Sequence, residues 1–180
     1  LDVACELSSE TTVRFAALVH DLGKGVTPRE QWPQHRGHEQ AGVRIVGQLC
    51  ERLKVPTEHR ELGQLVSREH QRIHRAAELR DTTVLEVLEA ADAFRRPERF
   101  DQFLICSEAD ARGRTGFEER DYPQAKYFRG ALAACQGINA KEISNRGFAG
   151  KEFGDEINRL RLMALTDYKN NLNANKSESS

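Results

Sequence analysis

The chain has 180 residues, of which 38% are hydrophobic and 31% are charged, and its formal net charge is −1. This balance is ordinary for a globular domain with its own core, and it excludes a general electrostatic attraction to nucleic acid or membrane surfaces. No apolar run approaches the ~18 residues that a membrane-spanning helix needs. Four cysteines lie far apart without a Cys-x-x-Cys pair. We therefore predict reduced thiols and a cytoplasmic protein rather than disulfides or a cysteine-based zinc site.

Apolar residues recur at helical spacing along most of the chain, and no segment shows the alternation expected of a strand. The predicted helices run from about Glu10 to Leu22, from about His38 to Leu53, from Pro56 through Ile73, from Thr83 through Ala91, from Pro97 through Ile105, from Pro123 to about Gly137, and from about Lys151 to Tyr168. The fourth begins at a Thr83-x-x-Glu86 capping box. The sequence therefore predicts an all-α fold.

A polar, glycine-containing loop at 112–120 is the clearest break in composition. We predict a helical bundle over residues 1–111 and a smaller C-terminal helical lobe over 112–168. Residues 169–180 are rich in asparagine and serine, which predicts a disordered tail. The chain begins at Leu1 inside what reads as a helix, so we expect the bundle to be truncated at its N-terminus.

A His-Asp pair ends an almost wholly apolar helix. His20 and Asp21 follow the segment 13–19, and Asp92 lies four residues after Leu88 on another apolar stripe. Buried carboxylates need a cation, so one metal ion held by all three side chains is one interpretation. The other is a structural histidine beside carboxylates paired with arginines. A mixed nitrogen and oxygen ligand set suits manganese, nickel, iron, zinc or magnesium.

Two pairs of histidines are further candidates. His35 and His38 fall in "HRGHE", and His70 and His74 are four residues apart, so both can face one way. Lys24 lies between two glycines that permit close approach of the backbone to a ligand. Its ammonium either pairs with a substrate phosphate or is an ordinary exposed lysine. The sequence contains no Walker A loop, nucleophile elbow or HExxH motif.

The segment "HDLGKG", followed about 70 residues later by the aspartate of "EAADAFRRPE", resembles the HD superfamily of metal-dependent phosphohydrolases. The longer segment "RFAALVHDLGKGVTPREQWPQHRGHEQAG" is similar to the C-terminal HD domain of bacterial multifunctional CCA proteins, the tRNA nucleotidyltransferases. This resemblance implies a helical HD-domain bundle. It implies 2′,3′-cyclic phosphodiesterase, 2′-nucleotidase and phosphatase activities that depend on Ni²⁺, Mg²⁺ or Mn²⁺.

Carried over to this chain, the resemblance implies His20, Asp21 and Asp92 as metal ligands. It also implies Asp21, Lys24, His38 and His70 as catalytic or phosphate-facing residues. The family pattern has a further histidine upstream of the His-Asp pair, and residues 1–19 contain none. The sequence therefore predicts either a weakened metal site or another ligand in that place.

The expected substrates are tRNA or RNA 3′ ends and small nucleotide phosphoesters, without a membrane partner, and a homodimer is left open. An alternative function is a non-catalytic body that holds tRNA for a separate nucleotidyltransferase domain. The chain has 20 arginines against 7 lysines, and arginine suits phosphate recognition. The arginines that could form such a patch are Arg95, Arg96, Arg99, Arg112, Arg114 and Arg120.

Overall fold

The structure is a computed structural model that describes residues 1–178. The α-helices within this range are α1 (Asp2–Leu7), α2 (Thr11–Val19), α3 (His38–Leu53), α4 (Thr57–His74), α5 (Asp81–Ala90), α6 (Pro97–Arg112), α7 (Pro123–Gln136), α8 (Ala140–Asn145) and α9 (Gly150–Glu178). Short 3₁₀ turns occur at Leu22–Val26, Arg29–Gln31 and Ala76–Glu78. The all-α prediction is confirmed, and the described residues include no helix that is long and apolar enough to cross a membrane.

Helix α4 lies at the centre of the bundle. It packs against α2, α3 and α6, and it also contacts α5 and α7. Leu62, Val66 and Ile73 follow its inner face and are fully buried. This stripe has helical spacing, so α4 turns one apolar face to the core throughout its length. Because His70 lies on the same stripe, α4 also carries a polar side chain into the interior.

Proline at the start of a helix is a good guide to the observed boundaries, since its missing N–H has no partner there in any case. Helices α6 and α7 begin at Pro97 and Pro123 as predicted.

The predicted capping box at Thr83 is wrong. Helix α5 begins two residues earlier, at Asp81, and its N-terminus has no side-chain cap. Asp81 instead accepts a hydrogen bond from Thr166 of α9, so tertiary contact sets this boundary.

The apolar core continues across the loop at 112–120. Phe128 of α7 is fully buried and meets Phe100 of α6 edge to face, with ring centroids 6.3 Å apart. Both belong to one cluster that also contains Leu165 of α9. The C-terminal helices therefore complete the same core. Helix α9 continues through 169–178, where disorder was predicted, while residues 179 and 180 lie outside the described range.

The end of α2 differs from its prediction in a way that shapes the site. The α-helix ends at Val19, and the chain tightens into the 3₁₀ turn Leu22–Val26, which packs against α3. Gly23 makes this packing possible. A β-carbon there would lie 2.6 Å from the backbone nitrogen of Gly42 and closer still to the carbonyl oxygen of His38. The glycine is thus required for close approach to a helix of the protein itself.

Candidate metal centre

His20 and Asp21 lie between the end of α2 and the 3₁₀ turn, where helices α3, α4 and α6 bring side chains toward them. Nδ1 of His20 donates to the carbonyl of Ala17 at 2.8 Å. Its Nε2 therefore faces the interior, 3.3 Å from a carboxylate oxygen of Asp21 and 3.3 Å from one of Asp110. Nε2 is buried and has no hydrogen-bond partner among the described residues. Once the ring loses its proton, the lone pair of Nε2 in this position is available to a cation.

Two further histidines repeat this arrangement. His38 begins α3 and donates from Nδ1 to the carbonyl of His35 at 2.8 Å. His70 of α4 donates from Nδ1 to the carbonyl of Val66 at 2.9 Å. Their Nε2 atoms lie 3.5 Å and 3.8 Å from Oδ1 of Asp21. A backbone acceptor on one ring nitrogen fixes the tautomer and aims the other nitrogen, as is typical of metal-binding histidines.

The space between the rings of His20, His38 and His70 and the carboxylate of Asp21 contains few hydrogen-bond donors. Oδ1 of Asp21 and Nε2 of His38 are buried without a partner among the described residues. Nε2 of His70 accepts from the amide of Gln71 at 3.1 Å. Ligand atoms of His20, Asp21 and His70 all lie within 4.8 Å of one another. Because unsatisfied buried polar atoms are costly, this set fits a cation better than it fits a dry interior.

Asp110 of α6 completes the cluster, and sequence reasoning missed it. Its Oδ1 faces His20, while Oδ2 accepts from Nε2 of His74 at 2.7 Å. Nδ1 of His74 in turn accepts from the hydroxyl of Tyr122 at 2.8 Å. Asp110 lies seven residues after the fully buried Phe103. The stripe argument applied to Asp92 therefore also pointed to Asp110.

The placement predicted for Asp92 is wrong. Helix α5 ends before it, and Asp92 has a left-handed backbone conformation with φ of 52°. The N–H groups of Asp92 and Ala93 bond back to the carbonyls of Glu89 and Leu88, which closes the helix end. The side chain turns away from the apolar stripe and pairs with Arg95 and Arg96, each at 3.7 Å. Asp92 therefore follows the alternative interpretation of the sequence, in which the carboxylate pairs with arginines.

Lys24 contributes to the cluster by holding a carboxylate. Its Nζ lies 2.5 Å from Oδ2 of Asp21, so the other oxygen of Asp21 is left facing His38 and His70. Asp110 is arranged in the same manner, with His74 on one oxygen and His20 beside the other. Each carboxylate therefore has one oxygen held at the edge of the cluster and directs the other toward the histidines of the centre.

The remaining histidines lie outside the centre. Nδ1 of His35 is hydrogen-bonded to the hydroxyl of Thr27 at 2.5 Å, which ties together the loop before α3. Nε2 of His59 is 3.0 Å from the hydroxyl of Thr11. Both are structural contacts, and His35 acts on the site only through the carbonyl that orients His38.

Electrostatic coupling is strong in this cluster. Burial alone would lower the pKa of His20, but the carboxylates of Asp110 and Asp21 outweigh it and raise the pKa to about 10. Burial, together with the neighbouring His20 charge, lowers the pKa of His70 to about 4. The pKa of Asp21 and that of Asp110 lie well below the usual range, because His20, the ammonium of Lys24 beside Asp21 and the hydrogen bond from His74 to Asp110 outweigh the effect of burial. The ionised carboxylates of Asp21 and Asp110 thus face the positive charge of His20, and a metal ion could take the place of that charge.

Comparison with known proteins finds a family model and curated relatives that match the chain. The HD domain model matches residues 1–96. Multifunctional CCA proteins of Thioalkalivibrio sulfidiphilus and Teredinibacter turnerae are each 53% identical to the chain, and that of Hahella chejuensis is 50% identical. The three alignments cover 94%, 92% and 94% of the chain but 41%, 40% and 40% of those proteins. The chain therefore spans about two fifths of the length of these relatives.

No solved structure matches the chain. Family membership rests instead on the extent of the model match, which covers more than half of the residues and includes His20, Asp21, His38 and His70. These are the residues that the structure gathers around one point. The chain belongs to the HD domain family.

Proposed function

We propose that the chain is a metal-dependent phosphohydrolase that acts on nucleotide phosphoesters. The observation that carries the proposal is the convergence of three histidine Nε2 atoms on the carboxylate of Asp21. All three rings donate from Nδ1 to backbone carbonyls. Such an arrangement has little value for packing, but it aims three Nε2 atoms at a site for a cation.

The candidate ligands are His20, Asp21, His38, His70 and Asp110. Imidazole and carboxylate together suit Mn²⁺, Ni²⁺ or Fe²⁺ better than Mg²⁺, which prefers oxygen ligands. A bound divalent cation would polarise a phosphoryl oxygen and lower the pKa of a coordinated water. Within the chain, His38 and His70 supply nitrogen ligands in addition to His20.

The protein's own residues hold this centre in shape. Lys24 fixes one oxygen of Asp21, and its side chain is 37% exposed, so it can also pair with a substrate phosphate. His74 directs its Nε2 hydrogen at Asp110, and Tyr122 directs its hydroxyl at His74. His74 and Tyr122 are therefore positioning residues, whereas Lys24 offsets negative charge that develops on the phosphoryl oxygens.

The specific reactions proposed are hydrolysis of 2′,3′-cyclic phosphates, of 2′-phosphates and of other phosphomonoesters. The relatives named multifunctional CCA proteins support a place for the chain within a tRNA nucleotidyltransferase. The corresponding substrates would be tRNA or RNA 3′ ends, and the corresponding location would be the cytoplasm.

A matched pair of aspartates tests the proposal. The chain is stripped with EDTA, reloaded with Mn²⁺, Ni²⁺ or Mg²⁺, and assayed on 2′,3′-cyclic AMP. Asp21→Asn should lower activity at limiting metal by at least about 10–100-fold. Asp92→Asn is the control, because its side chain is 32% exposed against 31% for Asp21. Wild-type protein without metal-dependent hydrolysis, or an Asp21→Asn variant of equal activity, would contradict the proposal.

A non-catalytic tRNA-binding body is supported less well. Arg96 and Arg99 both pair with Glu61, at 2.7 Å and 3.0 Å. Arg95 pairs with Asp92, and Arg112 pairs with Glu108. Most of the predicted patch is therefore neutralised within the protein. Tight tRNA binding together with no metal-dependent hydrolysis would favour this second function.

A further inference from the structure

A cleft of about 630 Å³ opens beside the metal centre, between the end of α4 and the loop 113–122. His74 lines the cleft and is hydrogen-bonded to Asp110 of the centre. Arg114, Phe117 and Arg120 of the loop also line it, and all three are exposed. Clefts of this size accept small organic ligands. The cleft is therefore large enough for a nucleoside attached to a phosphate at the metal centre.

The loop presents an aromatic face to solvent. Phe117 is 40% exposed, although apolar rings of this size are usually covered. The guanidinium carbon of Arg120 lies 5.3 Å from the centroid of its ring. Aromatic rings and arginine planes are the surfaces on which unpaired bases stack. Phe117 and Arg120 thus combine both kinds of surface in one place.

Arg114 connects the cleft to the metal centre. It lines the cleft, and it also lines a smaller pocket of about 210 Å³ whose walls include His20 and Asp110. Arg112, by contrast, is engaged, because it donates to the carbonyl of Glu118 at 2.7 Å and pairs with Glu108. No ion pair of Arg114 is present among the described residues. Its guanidinium is therefore available to a phosphate.

We propose that this cleft is a nucleoside subsite, in which Phe117 and Arg120 stack the base while Arg114 binds the phosphate directed at the metal centre. The inference rests on the proposed phosphohydrolase function and deepens it, since it assigns the residues that bind the base of the nucleotide. Stacking is tolerant of base identity. The subsite should therefore distinguish nucleotides from base-free phosphoesters, with little discrimination among bases.

Two substrates with the same reacting group separate the base from the phosphate. 2′,3′-Cyclic AMP has a base, and glycerol 1,2-cyclic phosphate has none. Phe117→Ala should raise KM for cyclic AMP roughly 5- to 150-fold, as expected for loss of one stacked base. It should leave kcat/KM for the glycerol ester within about twofold. Phe117→Trp should restore the low KM, and Arg114→Ala should impair both substrates.

A second phenylalanine provides the control variant. Phe148 lies beneath Arg146, with the guanidinium carbon 5.2 Å from the ring centroid, and it does not line the cleft. Phe148→Ala should leave KM for both substrates unchanged. Equal effects of Phe117→Ala on the two substrates, or no effect on cyclic AMP, would overturn the subsite while leaving the phosphohydrolase function intact.

A binding measurement keeps the two proposals distinguishable. If the wild-type chain hydrolyses neither substrate, the proposed function fails, and calorimetry with 2′-AMP and ribose 5-phosphate then tests the subsite alone. Tighter binding of 2′-AMP that is lost in Phe117→Ala would support it. Equal binding of the two ligands, or binding of 2′-AMP that Phe117→Ala leaves unchanged, would overturn it.

Discussion

Substitution of Gly23 by alanine is expected to damage both the fold and the metal centre. The new β-carbon would lie 2.6 Å from the nitrogen of Gly42 and 2.9 Å from the carbonyl carbon of His38. Both distances fall below the 3.0 Å that real β-carbon contacts essentially never show. The obstructing atoms belong to the backbone of α3, so no side chain can rotate away. The 3₁₀ turn must therefore move away from the helix.

The expected cost follows from this overlap. Inserting one methyl group into a packed region typically costs about 1–3 kcal/mol, and a rigid backbone neighbour places Gly23→Ala near the upper limit. The shift also carries Asp21 away from α3, where Nε2 of His38 lies 3.5 Å from its carboxylate. Because ligand geometry is disturbed, affinity for Ni²⁺ should fall by at least about tenfold.

Gly25 is the control within the same turn. A β-carbon there meets nothing within 4 Å, so Gly25→Ala should change stability by no more than about 0.5 kcal/mol. Urea denaturation followed by circular dichroism measures the free energy of unfolding, and calorimetric titration measures Ni²⁺ affinity. If Gly23→Ala and Gly25→Ala were equally stable and bound Ni²⁺ equally well, the close packing of the turn on α3 would be refuted.

Three further outcomes are expected. Asp110→Asn should weaken Mn²⁺ or Ni²⁺ binding by about 10–100-fold in a calorimetric titration, and unchanged affinity would remove Asp110 from the ligand set. Lys24→Ala should lower kcat/KM for 2′,3′-cyclic AMP without a change in the melting temperature, because a half-exposed turn lysine contributes little packing; equal kcat/KM would make Lys24 a bystander. Metal affinity should rise by about one decade per pH unit between pH 6.5 and 7.5, since the ion must displace the proton that the raised pKa keeps on His20. His70 releases no second proton, because its pKa is lowered to about 4. If calorimetric titrations at the two pH values showed that metal affinity rises by two decades, this assignment of protons would be wrong.

The local sequence was sufficient for most helices. Pro97 and Pro123 mark helix starts because proline suits the first helical turn. The stripe Leu62, Val66 and Ile73 predicted the buried face of α4, since apolar spacing near 3.6 residues places side chains on one side of a helix. His38 and His70 were also identified from sequence, and the structure brings them both to Asp21.

Helix ends were predicted less well, because they depend on contacts with other elements. Helix α2 ends at Val19 so that the following turn can pack on α3. Helix α9 continues through a segment whose composition predicted disorder. Its Lys169 reaches the carbonyl of Leu79 and the carboxylate of Asp81, and Tyr168 donates to the carbonyl of Tyr127. These contacts hold the helix on the body of the protein before its polar end begins.

The sequence by itself determined the fold class, and it predicted a metal centre at His20 and Asp21. Only the tertiary structure decided which second carboxylate belongs to that centre. Asp92 and Asp110 both follow apolar stripes, so periodicity ranks them alike. Asp92 has a left-handed backbone conformation, which turns its side chain out toward Arg95 and Arg96. The packing of α6 against α2 instead brings Asp110 within 3.3 Å of His20. Periodicity describes the face of a helix, but the end of that helix and its packing partner determine what the face meets.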